Sequence, residues 1–393
     1  MSPVRQDSYP NYDVRKIIHS LKYPSDDLVN VFAHRALRCL GGTTENSFSA
    51  VAAAARAGYE AIEIDIRLTK DNQVVVFHDE GLGRLTDVEP PPGESYHNPF
   101  TGIGFSPLVK DVTCSERPIL LKELLSFICD EGINMLVQLD VKATEAMAYA
   151  YDIISTMANA AGVPAMEWCL WKPKGELFPT PQAWESQGWV KTALKAGQGM
   201  AFVPLYENEN AQSESTPRRQ LNQLTPPAIE SIIAWGNCDY LLTYELHVPR
   251  VGGPLQSSLD LILSGQKGVG SWYIGGDFPR RYYEETDGQM RRVEWLSDFV
   301  LTADEHFSWD DSGHRNDILD SGPAVKCMWK EWHGVITVGG VLGHPPEDTH
   351  HDTRVDLPAL LRQGFTYIVA DPFDDLHHKM TALGKRNVSR MYA

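Results

Sequence analysis

Basic charge is scarce in this sequence, which has 35 Lys and Arg residues against 52 Asp and Glu residues and a formal net charge of −17. Proteins that bind nucleic acid or an anionic membrane surface need basic patches, so the charge balance argues against both functions. An anionic small substrate stays possible, provided that a metal ion or a local pair of cationic side chains reverses the charge at the site.

Long apolar runs and paired cysteines are also missing. No stretch reaches the roughly 18 apolar residues that span a bilayer, so we predict no integral membrane segment. The N-terminus lacks the apolar core of a signal peptide, and the six cysteines show neither a C-x-x-C pair nor a metal-binding spacing. These features predict a cytoplasmic protein with reduced thiols, and they leave the oligomeric state undefined.

The sequence does contain a regular alternation of short apolar strands and helical segments. Residues 72–79 form an accessory extended run, and eight principal strands are predicted at 28–35, 59–69, 133–142, 199–206, 237–246, 269–276, 334–340 and 365–372. Alternating strands and helices form parallel βαβ units, and eight units in 393 residues favour an α/β fold, a single (β/α)8 TIM barrel. An open doubly wound sheet is the alternative.

The predicted barrel spans residues 29–380, between an N-terminal extension at 1–28 and a C-terminal tail at 381–393. Its surplus length is assigned to loop insertions at the C-terminal mouth, at about 80–117, 168–200, 207–226 and 303–331. The insertion at 168–200 is rich in tryptophan. Its Trp171 and Trp184 suggest an apolar lid over a lipid-like or aromatic substrate.

Charged side chains occupy alternate positions in two of the predicted strands. Because strand side chains alternate between faces, Glu63, Asp65 and Arg67 share one face while isoleucines take the other. The same alternation puts Asp140 and Lys142 on one face of the strand at 133–142. We therefore expect three carboxylates to face one interior.

Buried carboxylates need a partner, because an unpaired buried charge is strongly unfavourable. A hard divalent cation such as Mg²⁺ or Ca²⁺ prefers oxygen ligands and would neutralise the three acids. The alternative is a buried network of ion pairs with Arg67 or Lys142. The density of carboxylates and the two histidines nearby favour the metal.

Two histidines stand at the ends of predicted strands. His34 ends the first strand and His78 ends the extended run after the second. Catalytic groups of TIM barrels lie at such strand ends, and two histidines suit a general acid and a general base. Arg35 and Lys142 can hold phosphate oxygens, Arg as a fork and Lys as a point charge. Together with a divalent cation, this set predicts phosphoryl chemistry.

Several motifs together resemble the glycerophosphodiester phosphodiesterase (GDPD) family of the PLC-like phosphodiesterase superfamily. They are HR at 34–35, TENS at 44–47, EIDIRLTKDNQVVVFHD at 63–79, GRLTD at 83–87, ERPILLKELLSF at 116–127 and LDVK at 139–142. The resemblance implies a TIM barrel with an insertion after the second strand, here residues 80–117. Coverage is dense from about 31 to 145 and thin afterwards.

The resemblance also implies roles for individual residues. It makes His34 and His78 the acid–base pair and assigns phosphate binding to Arg35 and Lys142. The implied metal ligands are Glu63, Asp65 and Asp140. It places Glu45 and Asn46 at the start of the first helix, where we expect them simply to cap the helix.

The sequence departs from the family pattern at four places. Ala36 stands where the family usually has glycine, Thr44 where it has proline, and Asp140 where it commonly has glutamate. The late tryptophan motif is not evident at 334–343. Asp140 followed by Val-Lys also resembles the sphingomyelinase D and phospholipase D enzymes of the same superfamily.

The second half of the chain offers weaker candidates. Glu245 and His247 at a strand end suit a polar wall of the site, with a surface loop as an equal alternative. Trp272 and Tyr273 suit either the pocket lining or the barrel interior, and the interior is favoured.

We therefore predict a metal-dependent phosphodiesterase, a phosphoric diester hydrolase that uses one divalent cation, Mg²⁺ or Ca²⁺, and His/His acid–base catalysis. Its expected substrate is a small glycerophosphodiester or a lysophospholipid-like phosphodiester. Three alternatives remain open: a phospholipase D-like lyase that forms a cyclic phosphate, the same metal site acting on another phosphorylated or diphosphate substrate in specialised biosynthesis, and a catalytically silent binding protein.

Overall fold

The computed structural model describes residues 9–37, 44–78, 118–207, 228–248, 254–273, 283–286, 289–292, 357–370 and 376–393. Their strands are β1 Asn30–Ala33, β2 Ala61–Leu68, β3 Val74–Val76, β4 Ile119–Leu120, β5 Leu136–Val141, β6 Cys169–Lys172, β7 Ala201–Phe202, β8 Leu205–Tyr206, β9 Tyr244–Leu246, β10 Val269–Tyr273, β11 Tyr283–Thr286, β12 Gln289–Arg292 and β13 Tyr367–Ala370.

Helices separate most of the strands, as the alternating sequence pattern predicted. They are α1 Val14–Lys22, α2 Phe48–Arg56, α3 Leu121–Asp130, α4 Ala146–Ile154, α5 Ala165–Trp168, α6 Pro181–Glu185, α7 Gly188–Lys195, α8 Ala228–Trp235, α9 Pro254–Ser264, α10 Leu357–Arg362 and α11 Leu376–Ala382, followed by a 3₁₀ turn at Val388–Met391. Within the described residues, no helix is both long and apolar enough to cross a membrane.

Nine strands form a parallel sheet in the order β7-β6-β5-β2-β1-β13-β10-β9-β8; β3 pairs antiparallel with β2, and β4 pairs antiparallel with β3. A hydrogen bond across the sheet shows that it curls: Gln138 on β5 donates a 3.2 Å bond to Glu245 on β9, although four strands lie between β5 and β9. We call the face that carries these two side chains the inner face. A curled parallel sheet with helices is consistent with the predicted TIM-like α/β fold.

The two strands at the ends of this order are neighbours along the chain. β7 pairs with β6, β8 pairs with β9, and only residues 203 and 204 separate β7 from β8. Two isolated parallel bridges continue these ladders, Lys174 with Leu205 and Phe202 with Leu241.

Two strand predictions need correction. Residues 169–172, predicted within a loop insertion, form β6, which lies between β5 and β7 in the sheet. The four-residue strand was missed because it is short and embedded in a tryptophan-rich stretch. Residues 334–340, predicted as the seventh strand, lie outside the described residues, and β10 pairs directly with β13, so no strand lies between those two. The insertions at 80–117 and 303–331 and residues 208–226 also lie outside the described residues.

The tryptophans of the segment 168–200 belong to the core. Trp171 and Trp184 are fully buried. Their rings lie 4.7 Å from Trp189 and 4.6 Å from Phe202, respectively. The prediction that Trp171 and Trp184 form a substrate lid is therefore wrong, because both side chains are fully buried among aromatic residues of the core.

The end of the sheet opposite the site is held by a buried ion pair. Glu60 precedes β2 and has no exposed surface, and its carboxylate accepts 2.8 Å and 2.7 Å hydrogen bonds from Arg386 Nη1 and Val31 N. The neighbouring backbone is tied in by a 2.9 Å bond from Val29 N to Lys385 O. The segment after α11 thus packs against the start of the first strand.

Candidate functional site

Three carboxylates converge on the inner face, where β2 and β5 run side by side. Asp65 pairs in register with Asp140, and Glu63 lies one inward-facing position earlier on β2. Glu63 and Asp65 are fully buried, and Asp140 is 7% exposed. One oxygen from each carboxylate lies within 4.8 Å of the others. The prediction that these acids share one interior is confirmed, and we call them the acidic cluster.

Two lysines neutralise part of this charge. Lys142 Nζ lies 3.2 Å from Asp65 Oδ1 and 3.1 Å from Asp140 Oδ2. Lys172, at the end of β6, has its Nζ 3.2 Å from both Glu63 Oε1 and Asp140 Oδ2. Sequence reasoning predicted Lys142 but missed Lys172. An isolated lysine at the end of the apolar run 169–171 was the available signal, once that run was recognised as a strand.

The opposite wall of the inner face belongs to β9 and its neighbours. Glu245 accepts hydrogen bonds from Tyr367 Oη and Gln138 Nε2, both at 3.2 Å, and its other oxygen lies 3.3 Å from Lys172 Nζ. Gly270 makes room for this arrangement, since a Cβ there would lie 2.0 Å from Cζ of Tyr367. Glu245 is fully buried, so it belongs to a polar wall of the inner face and not to a surface loop.

Residues 35, 45 and 46, which follow β1 in the chain, surround the acidic cluster. Arg35 N donates a 3.0 Å hydrogen bond to Glu63 Oε2, and Arg35 Nη1 lies 3.2 Å from Glu45 Oε1. Asn46 Nδ2 donates a 2.9 Å bond to Asp65 Oδ2. The expectation that Glu45 and Asn46 only cap α2 is wrong, because Ser47 is the N-cap and accepts from Ala50 N, while the other two side chains hold the site.

The backbone near these residues is unusual. Arg35, Ala36 and Asn46 have φ values of 50°, 60° and 57°, in the left-handed region. Asn tolerates that region, whereas the Cβ of alanine is sterically strained there. Ala36 N nevertheless donates a 2.9 Å bond to Glu63 O, which holds the turn against β2. A glycine at position 36, which the family usually has, would adopt this φ without steric strain.

The two predicted histidines flank the part of β2 that carries Glu63 and Asp65, since His34 follows the residue paired with Ile62 and His78 follows Phe77, whose N–H donates to Asp65 O. His34 follows β1, is buried, and has its Nε2 4.0 Å from Glu63 Oε2. Its ring lies 5.4 Å from that of Trp272, which is partly exposed and so lines the site rather than the deep interior. His78 follows β3, and its carbonyl oxygen accepts a 2.8 Å bond from Arg67 Nε. Arg67 therefore contacts the His78 backbone and makes no ion pair with the acidic cluster among the contacts described.

A further polar group lines the ends of β6, β8 and β9, and we call it the rim trio: Lys174, Glu207 and His247. The ammonium of Lys174 contacts the Glu207 carboxylate. His247 Nδ1 lies 3.9 Å from Glu207 Oε2, and its Nε2 lies 3.0 Å from Glu245 Oε1. The His247 ring is 5.9 Å from that of Trp272. Glu207 and Lys174 were not singled out from the sequence.

Burial and charge shift the pKa values of the cluster in opposite directions. Burial raises the pKa of Glu63 to about 8 despite the opposing charge of Lys172. For Asp140, burial acts in the same direction, but Lys142 and Lys172 outweigh it and hold the pKa well below its usual range. Both lysines have raised pKa values, because the surrounding carboxylates overcome their burial. At neutral pH the lysines are therefore charged and one acid of the cluster tends to keep a proton.

The residues present fit a divalent cation. The set formed by Glu45, Glu63, Asp65, Asp140 and Glu245 carries five potential negative charges against the three of Arg35, Lys142 and Lys172, so a dication would balance it. Asp65 Oδ1 is buried and makes no hydrogen bond in the described part of the chain, although Lys142 Nζ is 3.2 Å away. Carboxylate oxygens are the ligands that Mg²⁺ and Ca²⁺ prefer.

Solved structures that align with this chain include two phosphodiesterases. A glycerophosphoryl diester phosphodiesterase from Parabacteroides distasonis aligns over 96% of this chain and 94% of its own, with 14% identity and a TM-score of 0.49. A phosphodiesterase from Oleispira antarctica, in complex with the product sn-glycerol-3-phosphate, aligns over 88% of this chain and 93% of its own, with 15% identity and a TM-score of 0.40.

Curated relatives match shorter segments. A glycerophosphodiester phosphodiesterase of Bacillus altitudinis is 39% identical over 62 residues, which are 16% of this chain and 24% of the relative. One from Caldanaerobacter subterraneus subsp. tengcongensis is 32% identical over 108 residues, 25% of this chain and 40% of the relative. The matches thus span a quarter to two fifths of the length of these relatives.

The comparison with family models covers the whole acidic cluster. The model of the glycerophosphoryl diester phosphodiesterase family matches residues 34–174, which begin at His34 and include Glu63, Asp65, Asp140 and Lys172. The rim residues Glu207 and His247 lie beyond the match. The resemblance indicated by the sequence motifs is therefore confirmed: over residues 34–174, this chain is related to the glycerophosphoryl diester phosphodiesterase family.

Proposed function

We propose that the protein is a metal-dependent phosphoric diester hydrolase that cleaves a glycerophosphodiester or a lysophospholipid-like phosphodiester. The observation that carries the proposal is the buried acidic cluster of Glu63, Asp65 and Asp140 beside Lys142, inside the segment that matches the family. The curated relatives named glycerophosphodiester phosphodiesterase support this substrate class.

The acidic cluster would hold one divalent cation, Mg²⁺ or Ca²⁺, through its carboxylate oxygens. A bound dication would supply electrostatic stabilisation to the phosphoryl oxygens. Lys142, which is partly exposed and forms ion pairs with Asp65 and Asp140, would bind a phosphate oxygen as a point charge. Arg35 would add positive charge at the same end while its ion pair with Glu45 fixes its direction.

His34 and His78 would act as the general acid and the general base. One imidazole would take the proton of the attacking water or hydroxyl, and the other would give a proton to the leaving alkoxide. Glu63 lies 4.0 Å from His34 Nε2 and would stabilise the protonated ring. His34 directly follows Ala33, which pairs with Ile62, and His78 directly follows Phe77, whose N–H donates to Asp65 O, so the backbone of both histidines flanks the part of β2 that carries the acids, which supports their assignment to one site.

A lyase that forms a cyclic phosphate is the second candidate, and it is favoured by Asp140 at a position where the family commonly has glutamate. In this route a hydroxyl of the substrate attacks the phosphorus, whereas in hydrolysis water attacks directly. A ³¹P NMR time course distinguishes them, since only internal attack produces a cyclic phosphate signal. Absence of that signal at every time point would exclude the lyase.

The sheet would close into a single (β/α)8 barrel. The placement of β7 and β8, two residues apart in the chain and at opposite ends of the strand order, supports this closure. Counted as one strand, they complete a set of eight with β1, β2, β5, β6, β9, β10 and β13. A crystal structure in which residues 201–206 pair with only one neighbouring strand would contradict the closure.

The activity is tested with a panel of phosphodiesters. Release of choline, ethanolamine and glycerol 3-phosphate is measured with Mg²⁺, Ca²⁺ or EDTA for wild type, His34→Ala and His78→Ala. The exposed His19 on α1 provides the matched control His19→Ala. We expect turnover that EDTA abolishes, a loss of about 100-fold or more in each site variant, and no loss in the control.

Two results would contradict the proposal. Turnover that persists in EDTA would exclude the metal-dependent mechanism, and full activity of His34→Ala would exclude the acid–base assignment. If no diester in the panel is cleaved, a different phosphorylated or diphosphate substrate, or a silent binding protein, becomes the better explanation.

A further inference from the structure

We propose that Lys172 is an internal cation that competes with the divalent metal for the acidic cluster and thereby sets the metal affinity of the site. The inference rests on the metal site of the proposed function and does not depend on turnover. Lys172 would act through Glu63 and Asp140, so it is a positioning residue.

The ammonium group of Lys172 is fully engaged by carboxylates. Among the described residues it contacts Glu63 Oε1 and Asp140 Oδ2, both at 3.2 Å, and Glu245 Oε1 at 3.3 Å. The side chain is 3% exposed, so water screens these charges weakly. An ammonium has three N–H donors, and three carboxylates surround this one.

Two of these three carboxylates belong to the candidate metal ligands. Glu63 and Asp140 can therefore serve a metal only while sharing their negative charge with Lys172. Asp140 Oδ2 is also 3.1 Å from Lys142 Nζ, so this one oxygen already faces two cations. A dication that enters the cluster meets repulsion from both ammonium groups.

The third carboxylate, Glu245, gives Lys172 a partner outside the metal ligands. Glu245 lies on β9, across the inner face from β2, and Tyr367 and Gln138 hold its second oxygen. When a metal draws the charge of Glu63 and Asp140, the ammonium keeps this ion pair and stays neutralised. Glu245 should therefore ease metal entry, whereas Lys172 should oppose it.

The arrangement also explains how buried acids are tolerated before metal binds. Three acids close together in a buried site repel one another unless cations lie between them. Lys172, placed in register with Asp140 by the pairing of β5 and β6, supplies such a cation from the neighbouring strand. The cluster is thus assembled in advance, at the expense of affinity for the metal.

The test measures binding of Ca²⁺ and Mg²⁺ to the full chain by titration calorimetry, together with the melting temperature in EDTA and in Ca²⁺. Lys172→Met removes the charge and keeps the length of the side chain. We expect it to bind Ca²⁺ about tenfold tighter or more, because a repelling charge is lost. Its melting temperature in EDTA should be lower than that of wild type, and Ca²⁺ should raise its melting temperature by more than it raises that of wild type. The exposed Lys191 on α7 provides the control Lys191→Met, which should match wild type.

Glu245→Gln provides an independent variant with the opposite expected sign. Without its charge, Lys172 depends on Glu63 and Asp140 alone, so Ca²⁺ should bind about fivefold more weakly or worse. This variant keeps the proposal testable if Lys172→Met fails to fold in EDTA.

The outcomes separate this inference from the proposed function. Unchanged or weaker Ca²⁺ binding by Lys172→Met, or unchanged binding by Glu245→Gln, would overturn the role of Lys172 whatever the turnover. A lack of Ca²⁺ and Mg²⁺ binding by wild type and by Lys172→Met would overturn it as well. If the two variants shift affinity as expected but no diester is cleaved, the role of Lys172 stands and the proposed activity fails.

Discussion

Binding of a divalent cation should displace a proton from the acidic cluster at neutral pH. Burial raises the pKa of Glu63 to about 8, against an opposing effect of Lys172. A carboxyl group with that pKa is about 90% protonated at pH 7 and about 10% protonated at pH 9, whereas a metal ligand must be deprotonated. We therefore expect release of about 0.9 proton per Ca²⁺ at pH 7 and about 0.1 at pH 9.

The assay is calorimetric titration with Ca²⁺ at pH 7, 8 and 9, each in several buffers of different ionisation enthalpy. The slope of the observed enthalpy against the buffer enthalpy gives the number of protons released. Lys191→Met should reproduce the wild-type slope at each pH. A slope near zero at pH 7, or one that grows as the pH rises, would refute the assignment of a protonated acid to this cluster.

The same pKa shift links stability to pH. The folded-state pKa of Glu63 lies above its ordinary value of 4.5, so the folded chain holds a proton that the unfolded chain has lost between about pH 4.5 and 8. The contribution of Glu63 to stability is present below pH 4.5 and is lost as the pH rises through 8. Saturating Ca²⁺ should reduce this dependence, which melting curves in EDTA and in Ca²⁺ would reveal.

Three further predictions concern position 36, the opposite end of the sheet and the rim. Ala36→Gly should raise the free energy of unfolding by about 1 kcal/mol in chemical denaturation, because glycine adopts the observed φ of 60° without strain; a decrease would contradict this. Arg386→Met should lower it by about 3–5 kcal/mol by leaving Glu60 buried and unpaired, whereas the exposed Arg390→Met should cost less than about 1 kcal/mol; equal losses would refute the reasoning. Glu207→Gln should lower kcat/KM about tenfold for the two substrates that carry glycerol hydroxyl groups, glycerophosphocholine and glycerophosphoglycerol, because the rim trio offers donors and acceptors for such groups. It should not change kcat/KM for p-nitrophenyl phosphocholine or bis(p-nitrophenyl) phosphate, which lack them. A loss confined to the two choline esters would instead indicate that the rim trio recognises the choline cation.

The half of the site that the sequence predicted depends on local alternation. Glu63 and Asp65 on one strand, and Asp140 and Lys142 on another, interrupt apolar runs at a period of two, so their common face follows from strand geometry alone. Register between β2 and β5 then brings Asp65 opposite Asp140. The common face required no knowledge of distant contacts, whereas the register is itself a contact between distant parts of the chain.

The remaining contacts depend on tertiary packing. Lys172 ends a four-residue strand whose apolar members also suit a buried helix or loop, so its period is too short to identify. Glu45 and Asn46 looked like helix caps because Ser47, the actual cap, comes directly after them. Glu245 meets Lys172 only because the sheet curls, and curling cannot be derived from the pattern of either strand.

The pairing of β1 with β13 has a consequence for how the chain folds. Asn30 lies opposite Tyr367, so this ladder joins residues separated by most of the sequence, whereas β2 and β5 are joined through much shorter connections. Closing a long loop costs more chain entropy than closing a short one, and this cost precedes the stabilisation that the new contacts provide. We therefore expect amide protons of β2 and β5 to become protected from exchange earlier in refolding than those of Asn30 and His34, which donate to Thr366 O and Ala370 O. Simultaneous protection in a pulse-labelling experiment would show instead that both halves of the sheet form in one cooperative step.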